Sequence, residues 1–182
     1  MLKINYKIAV SGAANIHCCS SNIIYLASEI GKEIAKQNCI LITGATTGVP
    51  HYSSIAYKKI GGTSIGFSPA SSQKAHVKIY KLPINPFDII IYTGADYVGR
   101  NMIMTKAADG IIIICGRMGT LHEFATAFEI KKPIAVLEKS GAMADKIKMI
   151  TQNTTREAKK IIYETDPKAL VEKLILEIKK EK

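Results

Sequence analysis

The stretch Gly110–Phe124, GIIIICGRMGTLHEF, decides how the chain is read. Four isoleucines in a row do not alternate between core and solvent, so the run reads as a strand buried on both faces, as in a parallel sheet. The chain then turns through Cys115-Gly116-Arg117-Met118-Gly119 and opens a helix. Two explanations of that turn compete. Thr120-x-x-Glu123 fits a capping box, in which hydroxyl and carboxylate satisfy the free N–H groups of the first helical turn. Alternatively, a glycine turn at the carboxyl end of a buried strand, with helix N–H groups beyond it, is where an α/β protein holds phosphate.

The same alternation extends outward in both directions. Strand-like runs YKIAVSG, CILITG, TSIGFSP, DIIIYTG, PIAVLE and KIIYET alternate with helix-like segments SNIIYLASEIGKEIAKQ, HYSSIAYKKI, GRNMIMTKAAD, GTLHEFATAFEIKK, GAMADKIKMITQN and DPKALVEKLILEIKK. This order predicts an α/β fold with three layers: a doubly wound, Rossmann-like, mostly parallel sheet with helices on both faces. The chain has 182 residues, 47% of them hydrophobic, which suits one nucleotide-binding domain spanning 1–182.

The helices carry their own periodicity. Ile23, Leu26, Ile30 and Ile34 form an inner stripe, Lys32, Glu33, Lys36 and Gln37 face outward, and Ser20 or Ser21 caps the start. In the last helix Asp166 caps, Pro167 takes the first position, and Leu170, Leu174 and Ile178 face the core. Ser68–Phe87, with three prolines around Lys74, His76 and Lys78, is the least regular part. It reads as a connection to the far side of the sheet, with a lid over the ligand edge as the alternative.

The formal charge of +10 invites a nucleic-acid reading, but Lys and Arg are scattered and no basic run is interleaved with aromatics. Nucleic acid is therefore not the expected partner, and small anions use a basic surface equally well. No apolar run approaches the roughly 20 residues of a membrane span, and MLKINYKIAVSG enters a strand-like segment directly, so a cytoplasmic protein is expected. Of the four cysteines, Cys39 and Cys115 lie in apolar runs and read as small buried hydrophobes of a reducing compartment. His17-Cys18-Cys19 has no second ligand cluster at a suitable spacing, so no metal is expected.

Ligands of such sheets bind outside the carboxyl ends of the strands, near the reversal of winding. That selects four turns: Ser11–Asn15 with Gly12 and Ala13, Thr43–Gly48 with Gly44, Thr46, Thr47 and Gly48, Thr93–Asn101 with Gly94, Arg100 and Asn101, and Cys115–Thr120 with Gly116, Arg117, Met118, Gly119 and Thr120. None matches the dinucleotide fingerprint or the ATPase phosphate loop. Together they describe a shallow cleft suited to anions.

The series CILITGATTG, then GRNMIMTKAADGIIIICGRMGTLHEF, then KPIAVLE resembles the LONELY GUY-type proteins once labelled lysine decarboxylases, from Ile8 to the last helix. Their signature Pro-Gly-Gly-x-Gly-Thr-x-x-Glu reads here as Cys115 to Glu123, with cysteine for proline and Arg117 for the second glycine. The resemblance implies a nucleoside 5′-monophosphate phosphoribohydrolase with Arg100 and Glu123 as its catalytic residues, and a homodimer whose long helices build part of the pocket. Lysine decarboxylation is not implied: that chemistry needs pyridoxal phosphate held on a lysine, no residue arrangement argues for one, and no cofactor is expected. The stretch TGATTGVPHYSSIAYKKIGG is also distantly similar to DNA-processing protein A, which leaves single-stranded DNA as a third ligand class.

Cleaving an N-glycosidic bond builds positive charge on the sugar, which a carboxylate such as Glu123 stabilises. Arg100 is expected to keep that carboxyl ionised, and the 5′-phosphate to sit on the N–H groups of Gly119 and Thr120 and the Thr120 hydroxyl, with Thr46 and Thr47 adding contacts. Arg117 divides the readings. A side chain there obstructs a phosphate from the backbone, or its guanidinium binds the phosphate directly. The first effect favours a nucleotide-binding carrier or sensor without turnover; the second keeps binding with a changed geometry.

Overall fold

The computed structural model describes residues 5–152 and 161–181; the outer ends of the segments read above at 1–4, 153–160 and 182 lie outside them. The chain order is β1 (Lys7–Gly12), α1 (Ile23–Lys36), β2 (Ile40–Thr43), α2 (Val49–Lys59), β3 (Ser64–Ser68), α3 (Gln73–Lys78), β4 (Ile89–Tyr92), α4 (Asp96–Ala107), β5 (Gly110–Ile114), α5 (Met118–Glu129), β6 (Ile134–Leu137), α6 (Ala144–Thr151), β7 (Ile161–Glu164) and α7 (Pro167–Lys180). A 3-10 turn, Ile16–Cys18, sits between β1 and α1.

The seven strands form one sheet in the order β4-β3-β2-β1-β5-β6-β7, each neighbour parallel. Winding reverses between β1 and β5, where Gly12 stands opposite Ile114. The expected doubly wound α/β sheet is therefore present, and parallel throughout. Its three layers follow from the pleat. Ile112 and Ile114 of β5 enter a cluster with α1, α2 and α7, whereas Ile111 and Ile113 enter one with α4, α5 and α6. All four isoleucines are fully buried, which is why the run lacks polar alternation.

Three local expectations are corrected. Glu33 is buried rather than outward: α1 packs against both α2 and α7, so its covered face is wider than one stripe, and the carboxylate pairs with Lys36 Nζ at 2.6 Å. Neither Ser20 nor Ser21 caps α1. Asn22 holds the cap position with no side-chain bond, and the Ser20 N–H instead donates to the Ser140 carbonyl at 3.0 Å. Cys115 is not a free buried thiol: it is joined to Cys19 across 96 residues of chain, because the loop after β1 crosses over the end of β5. Cys39 does fit the reading as a small buried hydrophobe, and burial pushes its thiol up to about 11. At α7, Asp166 accepts from the Ala169 N–H at 2.7 Å with Pro167 following, as read.

The irregular segment from Ser68 to Phe87 is pinned by His76. Its ring is fully buried, 2.8 Å from Ser68 Oγ through Nδ1 and 3.0 Å from the Pro83 carbonyl through Nε2. Both ends of the imidazole are satisfied, and Leu82 of the same segment lines the cleft described below.

Gly31, inside α1, lies where α2 presses closest: a β-carbon there would collide with the Ser53 carbonyl oxygen. An exposed helical glycine gains about 1 kcal/mol on replacement by alanine. Gly31→Ala is expected to do the reverse and lower the unfolding midpoint in a thermal melt; a midpoint equal to or above the parent's refutes this close packing of α1 on α2.

Candidate functional site

The site is built where β1 and β5 end side by side. Beyond Gly12 and Ile114 a cleft of about 560 Å³ opens over the carboxyl ends of the strands. Its walls come from the end of β1 and the turn after it (Ser11 to Asn15), from Gly44, Thr46 and Thr47 after β2 with Pro50 of α2, from Tyr97, Arg100 and Asn101 on α4, and from Arg117 to Thr120 with Glu123 at the start of α5, with Leu82 beside them. The volume falls in the range of small-molecule sites.

The floor is a buried charge network. Arg100 and Glu123 are each about 95% buried, at 5% and 6% exposure, with Arg100 Nη1 3.5 Å from Glu123 Oε1. Ser11 Oγ donates to Glu123 Oε2. The Asn101 amide satisfies its surroundings with Nδ2 turned toward Glu123, donating to Oε1 and to the Tyr97 carbonyl, each at 3.0 Å. Glu123, on α5, thus accepts from three side chains on two other elements, Ser11 of β1 and Arg100 and Asn101 of α4. Gly44 is required by the same network, since the Arg100 guanidinium fills the space its side chain would take.

Arg100 was expected to hold the Glu123 carboxyl low. Burial instead wins and pushes it up from the usual range, with Arg100 and the Ser11 hydroxyl pulling the other way. Burial likewise pushes the Arg100 guanidinium down against the opposing pull of Glu123. Arg100 Nε has no hydrogen-bond partner, although its carbon lies 5.8 Å from the Tyr97 ring centre.

The mouth is the turn before α5. The helix begins at Met118, two residues ahead of Thr120, with Arg117 extended at its cap position and making no side-chain capping bond. The capping box is therefore not formed: Thr120 lies inside the first turn, and Glu123 points down to the floor. The first intrahelical bond runs from the Leu121 N–H to the Arg117 carbonyl, so the N–H groups of Met118, Gly119 and Thr120 have no helical acceptor and border the cleft. Arg117 is exposed beside them. This end of α5 attracts an anion through its dipole and its cation together.

Twelve of the residues read from the sequence therefore face one cleft: Gly12, Ala13, Gly44, Thr46, Thr47, Arg100, Asn101, Arg117, Met118, Gly119, Thr120 and Glu123. Three do not. Gly48, in the left-handed region at φ 70°, packs against the carbonyls of Ala13 and Ala14, and so fits α2 to the turn after β1. Gly94 turns the chain after β4, its N–H donating to the Ala70 carbonyl at 3.0 Å. Gly116, at φ 95°, backs onto the Thr120 side chain. Asp96, the first residue of α4, is exposed and accepts from the Tyr80 hydroxyl, and it does not line the cleft.

Ser11, Asn15, Tyr97 and Leu82 were missed. Ser11 had a signal, being a hydroxyl at the end of the apolar run YKIAVSG; Leu82 had none, since its proline-rich segment has no period.

Comparison with known proteins places this geometry. The chain is 28% identical to the molybdenum cofactor carrier protein of Chlamydomonas reinhardtii, whose structure covers 94% of this chain and 99% of its own at a TM-score of 0.76. It is 25% identical to the molybdenum cofactor binding protein of Rippkaea orientalis, over 95% and 97% of the two chains at a TM-score of 0.77. An uncharacterised protein of Archaeoglobus fulgidus is 29% identical over 133 residues, 72% of this chain and 80% of that one. The SLOG cluster4 family model matches residues 5–171, in keeping with the resemblance read from the signature turn, and the chain belongs to that family.

Proposed function

We propose that this chain binds a phosphorylated, nucleotide-like cofactor of the molybdenum cofactor class in the cleft between β1 and β5, and carries it without turning it over. One observation carries this reading: the mouth presents open helix N–H groups beside an exposed arginine, while among the described residues the one carboxylate that lines the cleft is already engaged. Glu123 accepts from Ser11, Arg100 and Asn101, which fixes it as the tie between β1, α4 and α5. The proposed phosphate seat consists of the open N–H groups at the start of α5, the Thr120 side chain and the Arg117 guanidinium. The cargo bound by the Chlamydomonas and Rippkaea proteins, which share the fold over nearly their whole length, supports the ligand class.

A second reading is favoured by a different observation. Arg100 and Glu123, the pair that the signature resemblance makes catalytic, lie together at the floor of the same cleft. In this reading the protein hydrolyses nucleoside 5′-monophosphates, with ionised Glu123 facing the oxocarbenium-like charge on the sugar. The resemblance also implies a homodimer, and the exposed Tyr97, Val98, Met102 and Ile103 give α4 an apolar outer face consistent with one.

The readings separate in one set of measurements. Protein purified without added ligand is expected to retain a phosphorus-containing small molecule, identified by mass spectrometry of the denatured supernatant. A panel of 5′-monophosphates incubated with the protein is expected to yield no free base by chromatography. Base release that disappears in Glu123→Ala would replace the carrier by the hydrolase. Its rate would then rise with pH, because burial holds the carboxyl protonated to a higher pH than an exposed glutamate and only the ionised form stabilises the cation.

Arg117 gives a sharper prediction. A charge-assisted contact to phosphate contributes about 1.5–3 kcal/mol, so Arg117→Gly is expected to weaken binding of adenosine 5′-monophosphate about tenfold or more. Binding of adenosine itself should hardly change, and Arg117→Lys should recover part of the loss, since an ammonium lacks the planar fork. Equal losses for nucleotide and nucleoside in titration calorimetry, or tighter nucleotide binding by the glycine variant, make Arg117 an obstruction instead.

A further inference from the structure

Three of the four cysteines meet in space. Cys18 and Cys19 follow β1 at the end of the 3-10 turn, Cys115 is the first residue beyond β5, and their Sγ atoms all lie within 4.8 Å of one another. The fold makes this meeting through Ser140, which follows β6. Its carbonyl accepts the Ser20 N–H at 3.0 Å, and its Oγ accepts the Cys115 N–H at 2.8 Å. Cys19 also forms an isolated antiparallel bridge with Gly141. Both cysteine-bearing turns are thus seated on the same loop, independently of any bond between sulfurs.

The cluster is graded in exposure. Cys115 is fully buried, Cys19 half-buried and Cys18 exposed, so it opens to solvent on the Cys18 side. Cys19 and Cys115 are joined in this structure, and Cys18 is left as a free thiol beside them. A structural disulfide needs two sulfurs. The third is unexplained by it, and three converging thiols are what a soft cation takes.

We propose that the reduced protein binds one thiophilic cation of the zinc and cadmium class through the thiolates of Cys18, Cys19 and Cys115, and that joining Cys19 to Cys115 withdraws the site. A metal–sulfur bond of about 2.3 Å sets thiolates about 3.8–4.0 Å apart around the ion, inside the 4.8 Å within which the three sulfurs now lie once the Cys19 and Cys115 thiols are freed from each other. A fourth position faces solvent on the Cys18 side, where water completes the coordination. The chemistry balances in two steps. A phosphine reduces the Cys19–Cys115 bond to two thiols, taking its oxygen from water to become the phosphine oxide. The divalent cation then displaces three thiol protons to the buffer and forms three metal–sulfur bonds.

The test uses the full chain, reduced with a phosphine, freed of reductant under argon and titrated with Cd2+ alone. The expected result is one ion per chain, with a sulfur-to-cadmium charge-transfer band in the ultraviolet and proton release that scales with metal bound. Cys18→Ser, at an exposed position, should weaken binding about a hundredfold, the share of one ligand in a thiolate site. Cys39→Ser should bind as the parent does, and air-oxidised protein should lose the band. Should Cys115→Ser fail to fold, the half-buried Cys19→Ser gives the same readout. The proposal is overturned if the reduced protein shows no charge-transfer band, if Cys18→Ser binds as tightly as the parent, if oxidised and reduced protein bind alike, or if the bond resists phosphine in the folded protein.

Discussion

The pairing of β5 with β1 is the constraint on which the rest of the structure depends. Ile111 to Ile114 are buried on both faces and each face belongs to a different helical layer, so β5 joins the two halves of the core. Because β1 already pairs with β2 on its other edge, β5 is added on the opposite side and the direction of winding reverses. The reversal of winding lies between β1 and β5, at the carboxyl ends of the strands. The cleft opens there, walled also by the turn after β2 and by α4.

Placing charge on the floor of that cleft has a cost, and the neighbours show how it is met. A buried carboxylate and a buried guanidinium are each expensive to desolvate, and their attraction offsets this only when the remaining donors and acceptors are filled. Ser11 and Asn101 fill them on the Glu123 side. On the Arg100 side, Nε is left without a partner. The network spans the end of β1, the start of α4 and the first turns of α5, so it holds three separate elements in register around the ligand space.

The mouth obeys a different economy. Arg117 and the turn beyond it are exposed, make no capping bond and leave helix N–H groups open. Such a terminus is poorly satisfied by the protein alone and is completed by water or by an anion. The floor is therefore rigid and internally paired, whereas the mouth is polar and incomplete.

Much of this was legible in the chain. The unbroken GIIIIC run implied a strand covered on both faces, the alternation of strand-like and helix-like segments implied a parallel sheet, and glycines after strands marked the edge where ligands bind. Periodicity reports which side of an element is apolar, and these assignments needed nothing more. What periodicity does not report is which distant elements meet. Glu33 looked outward because one helix was read without its two neighbours, and Thr120 and Glu123 fitted a capping box because local spacing does not show that the helix starts at Met118. Cys19 and Cys115, 96 residues apart, were read as unrelated. The layers, the strand direction and the ligand edge were readable from the residues, because these follow from burial patterns within single elements. Only the tertiary structure decided the partners of Glu123, the sign of its shift and the meeting of the cysteines, because each depends on crossings between elements far apart in the chain.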